Sequence, residues 1–81
     1  MHKLKKGMAE AIEIVVDSSY QKLKGKLISD LRLDENINIP ALKRGENVLM
    51  AHNDTKIHDE DHLIVFYKDK GVIDNFYDSF R

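Results

Sequence analysis

Four short stretches of this chain carry apolar residues in strand-like runs, and one stretch at the C-terminus repeats them at helical spacing. In residues 8–16, Met-Ala-Glu-Ala-Ile-Glu-Ile-Val-Val, the Ala/Glu half favours a helix. The β-branched Ile12, Ile14, Val15 and Val16 favour a strand, and no helical face survives past Glu13, so a strand is predicted over 11–16. Asp17-Ser18-Ser19 reads as a loop. Leu27, Ile28 and Leu31 then fall on one face of a short helix within Gly25–Leu33, which Asp34-Glu35-Asn36 breaks. A strand follows over 37–44. Pro40 removes one ladder donor there, so this strand should lie at an edge or leave that position unpaired. Gly45 suits a tight hairpin into a second strand, Val48–Ala51. Residues 52–56 and the acidic turn His58-Asp-Glu-Asp61 lead to a last strand over 62–67.

Val72, Ile73, Phe76, Tyr77 and Phe80 then recur at helical spacing, with Asp74, Asn75, Asp78 and Ser79 on the opposite face. A helix of this length is marginal alone, so its aromatic stripe must pack on the sheet or on another subunit. The order β-α-β-β-β-α predicts an α+β fold: a small mixed or antiparallel sheet, one short helix and a C-terminal amphipathic helix.

With 81 residues there is room for one domain, and a core of that size gains from burial against a partner. Residues 1–7 are polar and basic and read as a linker. A net charge of −1 argues against a nucleic-acid binder, which needs a basic face; Lys22, Lys24 and Lys26 form only a local cluster without interleaved aromatics. The longest apolar run, Leu63–Tyr67, is far too short to span a membrane, so any membrane connection must come through a partner. Cysteine is absent, which rules out disulfides and thiolate metal sites and fits a cytosolic protein.

Little in the chain points to catalysis. Ser18, Ser19, Ser29 and Ser79 lack a nucleophile-elbow setting, and the four scattered glycines build no phosphate-binding loop. His52, His58 and His62 with Asp59, Glu60 and Asp61 resemble a metal-ligand set in composition. In a strand, however, residues four apart stand roughly 13 Å apart, and no metal site is expected. Arg44 reads either as a strand-end cation paired with a local carboxylate such as Glu46, or as a ligand contact. Asn38 either faces solvent or presents its amide to a ligand or partner.

The stretch Gly25–Phe66 resembles the C-terminal regulatory domain of the TrkA-type (RCK) potassium-transport proteins. The carriers are Gly25-Lys26…Leu, Arg44-Gly45 and Asp61-His62-Leu-Ile-Val-Phe66, in the family's order and near its spacing, with Ala-Glu-Ala-Ile-Glu at 9–13 extending the likeness over roughly residues 7–80. The resemblance implies a domain over 8–81 that senses and transmits and does not catalyse. It would be the C-terminal domain of the peripheral, NAD-binding regulatory subunit of a Trk-type potassium-uptake system, at the cytosolic face of the membrane. NAD would bind only in an N-terminal half absent from this chain, which would make the chain a fragment. Partners implied are a second copy of this domain and, through the full-length ring, a membrane-embedded transporter subunit. Ile37, Asn38, Ile39 and Arg44 match the family positions that would line a ligand groove between two such domains. The alternatives are a free-standing module binding an anion or nucleotide, and a purely structural dimerisation domain. Where the family turn reads Gly-Asp, this chain has Glu60-Asp61, so a required positive φ would leave Glu60 strained or the turn rebuilt.

Overall fold

The computed structural model describes residues 9–81, so the linker expected over 1–7 lies outside the described residues. All four strands and the C-terminal helix form close to their expected bounds: β1 (Glu10–Val15), β2 (Ile37–Arg44), β3 (Asn47–Met50), β4 (His62–Tyr67) and α1 (Lys70–Phe80). Asp69 caps α1, its carboxylate accepting the Val72 backbone N–H at 2.9 Å, which satisfies one of the donors a helix start leaves open.

The strands form one sheet in the order β1-β4-β2-β3, and every pairing is antiparallel. β2 therefore lies inside the sheet, and Pro40 is accommodated by the second of the two expected means. Asn38 pairs with Phe66 and Ala41 with Ile64, so Ile39 and Pro40 together oppose the single residue Val65. This bulge leaves the proline nitrogen out of the ladder, while the Pro40 carbonyl still accepts from Ala51 N–H at 3.0 Å. Gly45, at φ 61°, opens the two-residue hairpin between β2 and β3.

The region between β1 and β2 differs locally from expectation. The short helix predicted within 25–33 is a single 3-10 turn, Ile28–Leu31, preceded by extended chain. Gly25 N–H donates to Ile57 O, Ile57 N–H to Lys26 O, and Ile28 N–H to Thr55 O, so the 53–57 connection supplies the partners that a helix would have found within itself. One apolar face at i, i+1 and i+4 serves a single turn as well as a helix. Ser18 and Ser19, expected as loop with Asp17, instead open a 3-10 segment over Ser18–Leu23, started by the Asp17 carboxylate accepting Ser19 N–H at 2.9 Å.

Alternation along the strands divides the sheet into two faces. The inner face contributes Ile14, Ile39, Leu42, Leu63 and Val65, which pack with Leu23, Ile57, and Ile73 and Phe76 of α1. The outer face carries three cross-strand rows: Val15–His62–Lys43–Val48, Glu13–Ile64–Ala41–Met50 and Ala11–Phe66–Asn38. No described element covers it, and Val48, Met50 and Phe66 are the large apolar residues left exposed there.

Candidate functional site

The carboxylate of Asp61 is fully buried, the only charged group in the described core. It lies where the acidic turn enters β4, and three donors converge on it. Arg44 Nε donates to Oδ1 at 2.9 Å, Arg44 Nη2 to Oδ2 at 2.8 Å, and the His58 backbone N–H to Oδ2 at 2.8 Å. Arg44 Nη2 also donates to the Lys56 carbonyl at 2.9 Å. Burial alone would raise the Asp61 pKa, but the Arg44 hydrogen bonds, the His58 N–H and the guanidinium charge outweigh it. The carboxyl is held below its ordinary value of 3.8. The hydrogen bond to Asp61 in turn raises the Arg44 pKa. Arg44 thus pairs with a carboxylate distant in sequence, and not with the adjacent Glu46.

Ile37, Asn38 and Ile39 lie at the other end of β2. The strand separates Asn38 from Arg44 by roughly 20 Å, so the four residues expected to line one groove do not meet within one protomer. Ile37 and Ile39 are buried, whereas Asn38 is exposed on the outer face. Three surface depressions converge on Ile37. One of about 340 Å³ is lined by Ser29, Leu33, Asp34, Asn38 and Asn53, among others. A second, of about 220 Å³, adds Asn36, Phe66, Tyr67 and Lys68 around Asn38. The third, of about 150 Å³, runs from Leu31 and Arg32 to Val72, Phe76 and Phe80 of α1. Arg44 lines none of these.

This end of the fold therefore combines an apolar floor with amides, the carboxylates of Asp34 and Glu35 and the two cations Lys68 and Arg32 at the rims, a lining suited to an amphipathic ligand. Sequence reading passed over Arg32. Arg32 ends the 28–31 turn in the left-handed conformation, φ 49°, and no pattern in the chain marks an isolated arginine after such a turn.

The histidine-carboxylate run is dispersed. His62 Nδ1 pairs with Glu13 across β1 and β4, Asp59 with Lys24 at 3.0 Å, and Asp61 with Arg44; His52 and His58 are exposed. Among the described residues no three His, Asp or Glu side chains are placed to share a metal ion. Glu60 does occupy the strained position foreseen for it, at φ 68°. The aromatic stripe packs as expected. Phe76 is buried, with Phe80 at 4.9 Å between ring centroids, and Tyr77 meets Tyr20 at 6.4 Å. No helix among the described residues is long and apolar enough to cross a membrane.

Comparison with known proteins agrees with this geometry. The model of the TrkA-C domain family matches residues 11–81. The chain is 42% identical over 72 residues to the Trk system potassium uptake protein TrkA of Vibrio alginolyticus, covering 86% of this chain and 16% of that protein. It is 40% identical over 72 residues to the TrkA of Halomonas elongata, again covering 86% and 16%. The chain thus spans about a sixth of the length of these curated relatives. Among solved structures it resembles an RCK domain with cda, at a TM-score of 0.66 and 19% identity, covering 88% of this chain and 97% of that one. It also resembles the RCK_C domain dimer of S. agalactiae BusR in complex with c-di-AMP, at a TM-score of 0.62 and 19% identity, covering 85% and 96%. On the match from residue 11 to the last residue, the chain belongs to the TrkA-C domain family, whose members are regulatory and non-catalytic.

Proposed function

We propose that this chain is the regulatory C-terminal domain of the cytosolic, NAD-binding subunit of a Trk-type potassium-uptake system. The observation that carries the reading is the 42% identity to a TrkA protein across 86% of the chain. In this reading two copies associate through the domain, and the full-length ring docks on a membrane-embedded transporter subunit. NAD binds outside these 81 residues.

The effector site is the end of the fold at the start of β2, where neighbouring depressions share Ile37, two of them bordered by Asn38 and the third by Arg32. An apolar floor beside amides and a guanidinium suits a nucleotide-class anion, whose base buries apolar area while its phosphate meets the cation. That two structural neighbours are described with cda or c-di-AMP supports the same class. Arg44 acts at a distance, by holding the scaffold. The effector biases the ring between arrangements because it binds one of them more tightly.

Two measurements test this. A strain dependent on this Trk system should lose growth at low potassium when the full-length gene is disrupted; unchanged growth would refute the transport assignment. Thermal shift of the chain with c-di-AMP, ATP and NAD tests the site. A binder present at a hundred times its dissociation constant should raise the melting temperature by more than about 5 °C, and Asn38→Ala and Arg32→Ala should each reduce that shift. No shift with any of the three would sink the effector reading.

A further inference from the structure

We infer that the groove between the start of β1 and α1 binds a small organic ammonium ion, its charge held by the Glu10 carboxylate and the rings of Tyr67 and Tyr77. Glu10 and Tyr67 are cross-strand partners on β1 and β4, and alternation sets both on the inner face, at the end of the sheet. The buried core stops short of them. Ile14 and Val65 are sealed from water, whereas Ile12 and Tyr67 are half-buried and Glu10 is exposed. The space left beside α1 is a groove of about 530 Å³, with Ile73, Tyr77 and Asp74 of the helix lining it opposite Glu10 and Tyr67. That volume lies within the range of small-molecule sites. The groove shares Tyr67 and Lys68 with one depression near Ile37, but neither Asn38 nor Arg32 lines it, and its occupancy does not depend on the effector reading.

The chemistry of the lining selects a cation. The Tyr67 hydroxyl donates to Glu10 Oε2 at 2.8 Å, which fixes the carboxylate beside the ring, and Glu10 has no salt-bridge partner among the described residues. The Tyr67 phenol is held above its ordinary pKa of 10.0, first by that hydrogen bond, then by loss of hydration and by the negative charges of Glu10, Tyr77 and Asp74. Two lysines also line the groove. Lys70 is bound to Asp74 at 3.0 Å, and Lys68 is exposed, its long stem leaving the ammonium in water.

The rings make the site one for an organic cation. A tyrosine face attracts a positive group, most strongly one that sheds its water easily, as an alkylated ammonium does. Tyr77 already does this within the chain: the Arg81 guanidinium lies 5.4 Å from its ring centroid, and Arg81 does not line the groove. With a single unpaired carboxylate and an open mouth, the expected affinity is low, on the order of millimolar.

The test is an NMR titration of the 81-residue chain with choline chloride, against potassium chloride at matched ionic strength. Choline should shift the Tyr67 and Tyr77 ring signals saturably, with cross-relaxation from its methyl protons to both rings. Glu10→Gln and Tyr67→Leu should each raise the dissociation constant by about five- to thirtyfold, and Tyr67→Phe, which keeps the ring, should cost less than Tyr67→Leu. Asn38→Ala and Arg32→Ala should leave choline binding unchanged, which separates this groove from the effector site. Amide spectra confirm that each variant is folded. No saturable shift up to about 100 mM choline, equal shifts with potassium chloride, or affinity indifferent to Glu10→Gln and Tyr67→Leu would each overturn the site.

Discussion

Arg44 and Asp61 form a two-pronged ion pair that joins the end of β2 to the start of β4, with the carboxylate sealed from water and the guanidinium one-third exposed. Through Lys56 O and His58 N–H the same pair also holds both ends of the short segment that runs beneath it. This contact explains why an arginine before the hairpin glycine and an aspartate before the last strand occur together. Arg44 satisfies a carboxylate that would otherwise be buried without a charged donor.

Breaking the pair should therefore cost more than an exposed salt bridge would. Arg44→Ala leaves Asp61 buried with only a backbone donor, and the expected loss is about 3 kcal/mol. Urea denaturation measures it. A loss below about 1 kcal/mol would mean that the pair behaves as a surface contact.

The same pair makes stability depend on acid. Asp61 has a native pKa below its ordinary value of 3.8, so the folded state releases its proton more readily than the unfolded chain. Its contribution is complete above the unfolded value. It declines as pH falls from near 4 toward the lower native pKa, because the unfolded state then takes up the proton first. Asp61→Asn should flatten the stability curve in that acid window while lowering stability at neutral pH. A wild-type curve flat from pH 5 to pH 2 would contradict this assignment.

Glu60 stands in a left-handed conformation at φ 68° that costs any residue bearing a Cβ some strain and costs glycine almost none. Glu60→Gly should stabilise the domain by about 0.5–1 kcal/mol, the relief of strain being partly offset by the freer unfolded chain. For a domain of this size that corresponds to a rise in melting temperature of several degrees. Calorimetry would decide it, and a lower melting temperature would show that the Glu60 side chain contributes more than its backbone loses.

What the chain determines by itself is what depends on near neighbours. The alternation in 62–67, the β-branched run in 11–16 and the aromatic spacing in 72–80 specify strands and a helix, because each pattern follows from which side chains share a face. Even the strain at Glu60 was legible, since it depends on one backbone position. Tertiary structure decided what depends on partners distant in sequence. The Gly25–Leu31 segment became extended chain and a single turn because residues 53–57 reached its backbone first. Arg44 turned to Asp61, seventeen residues away, over Glu46 beside it, since a buried carboxylate needs a charged donor far more than an exposed one does. The extended β2 holds Ile37 and Asn38 at the opposite end from Arg44, and tertiary structure gave the two ends different neighbours: Asp61 and Lys56 at Arg44, and the 28–34 segment with α1 at Ile37.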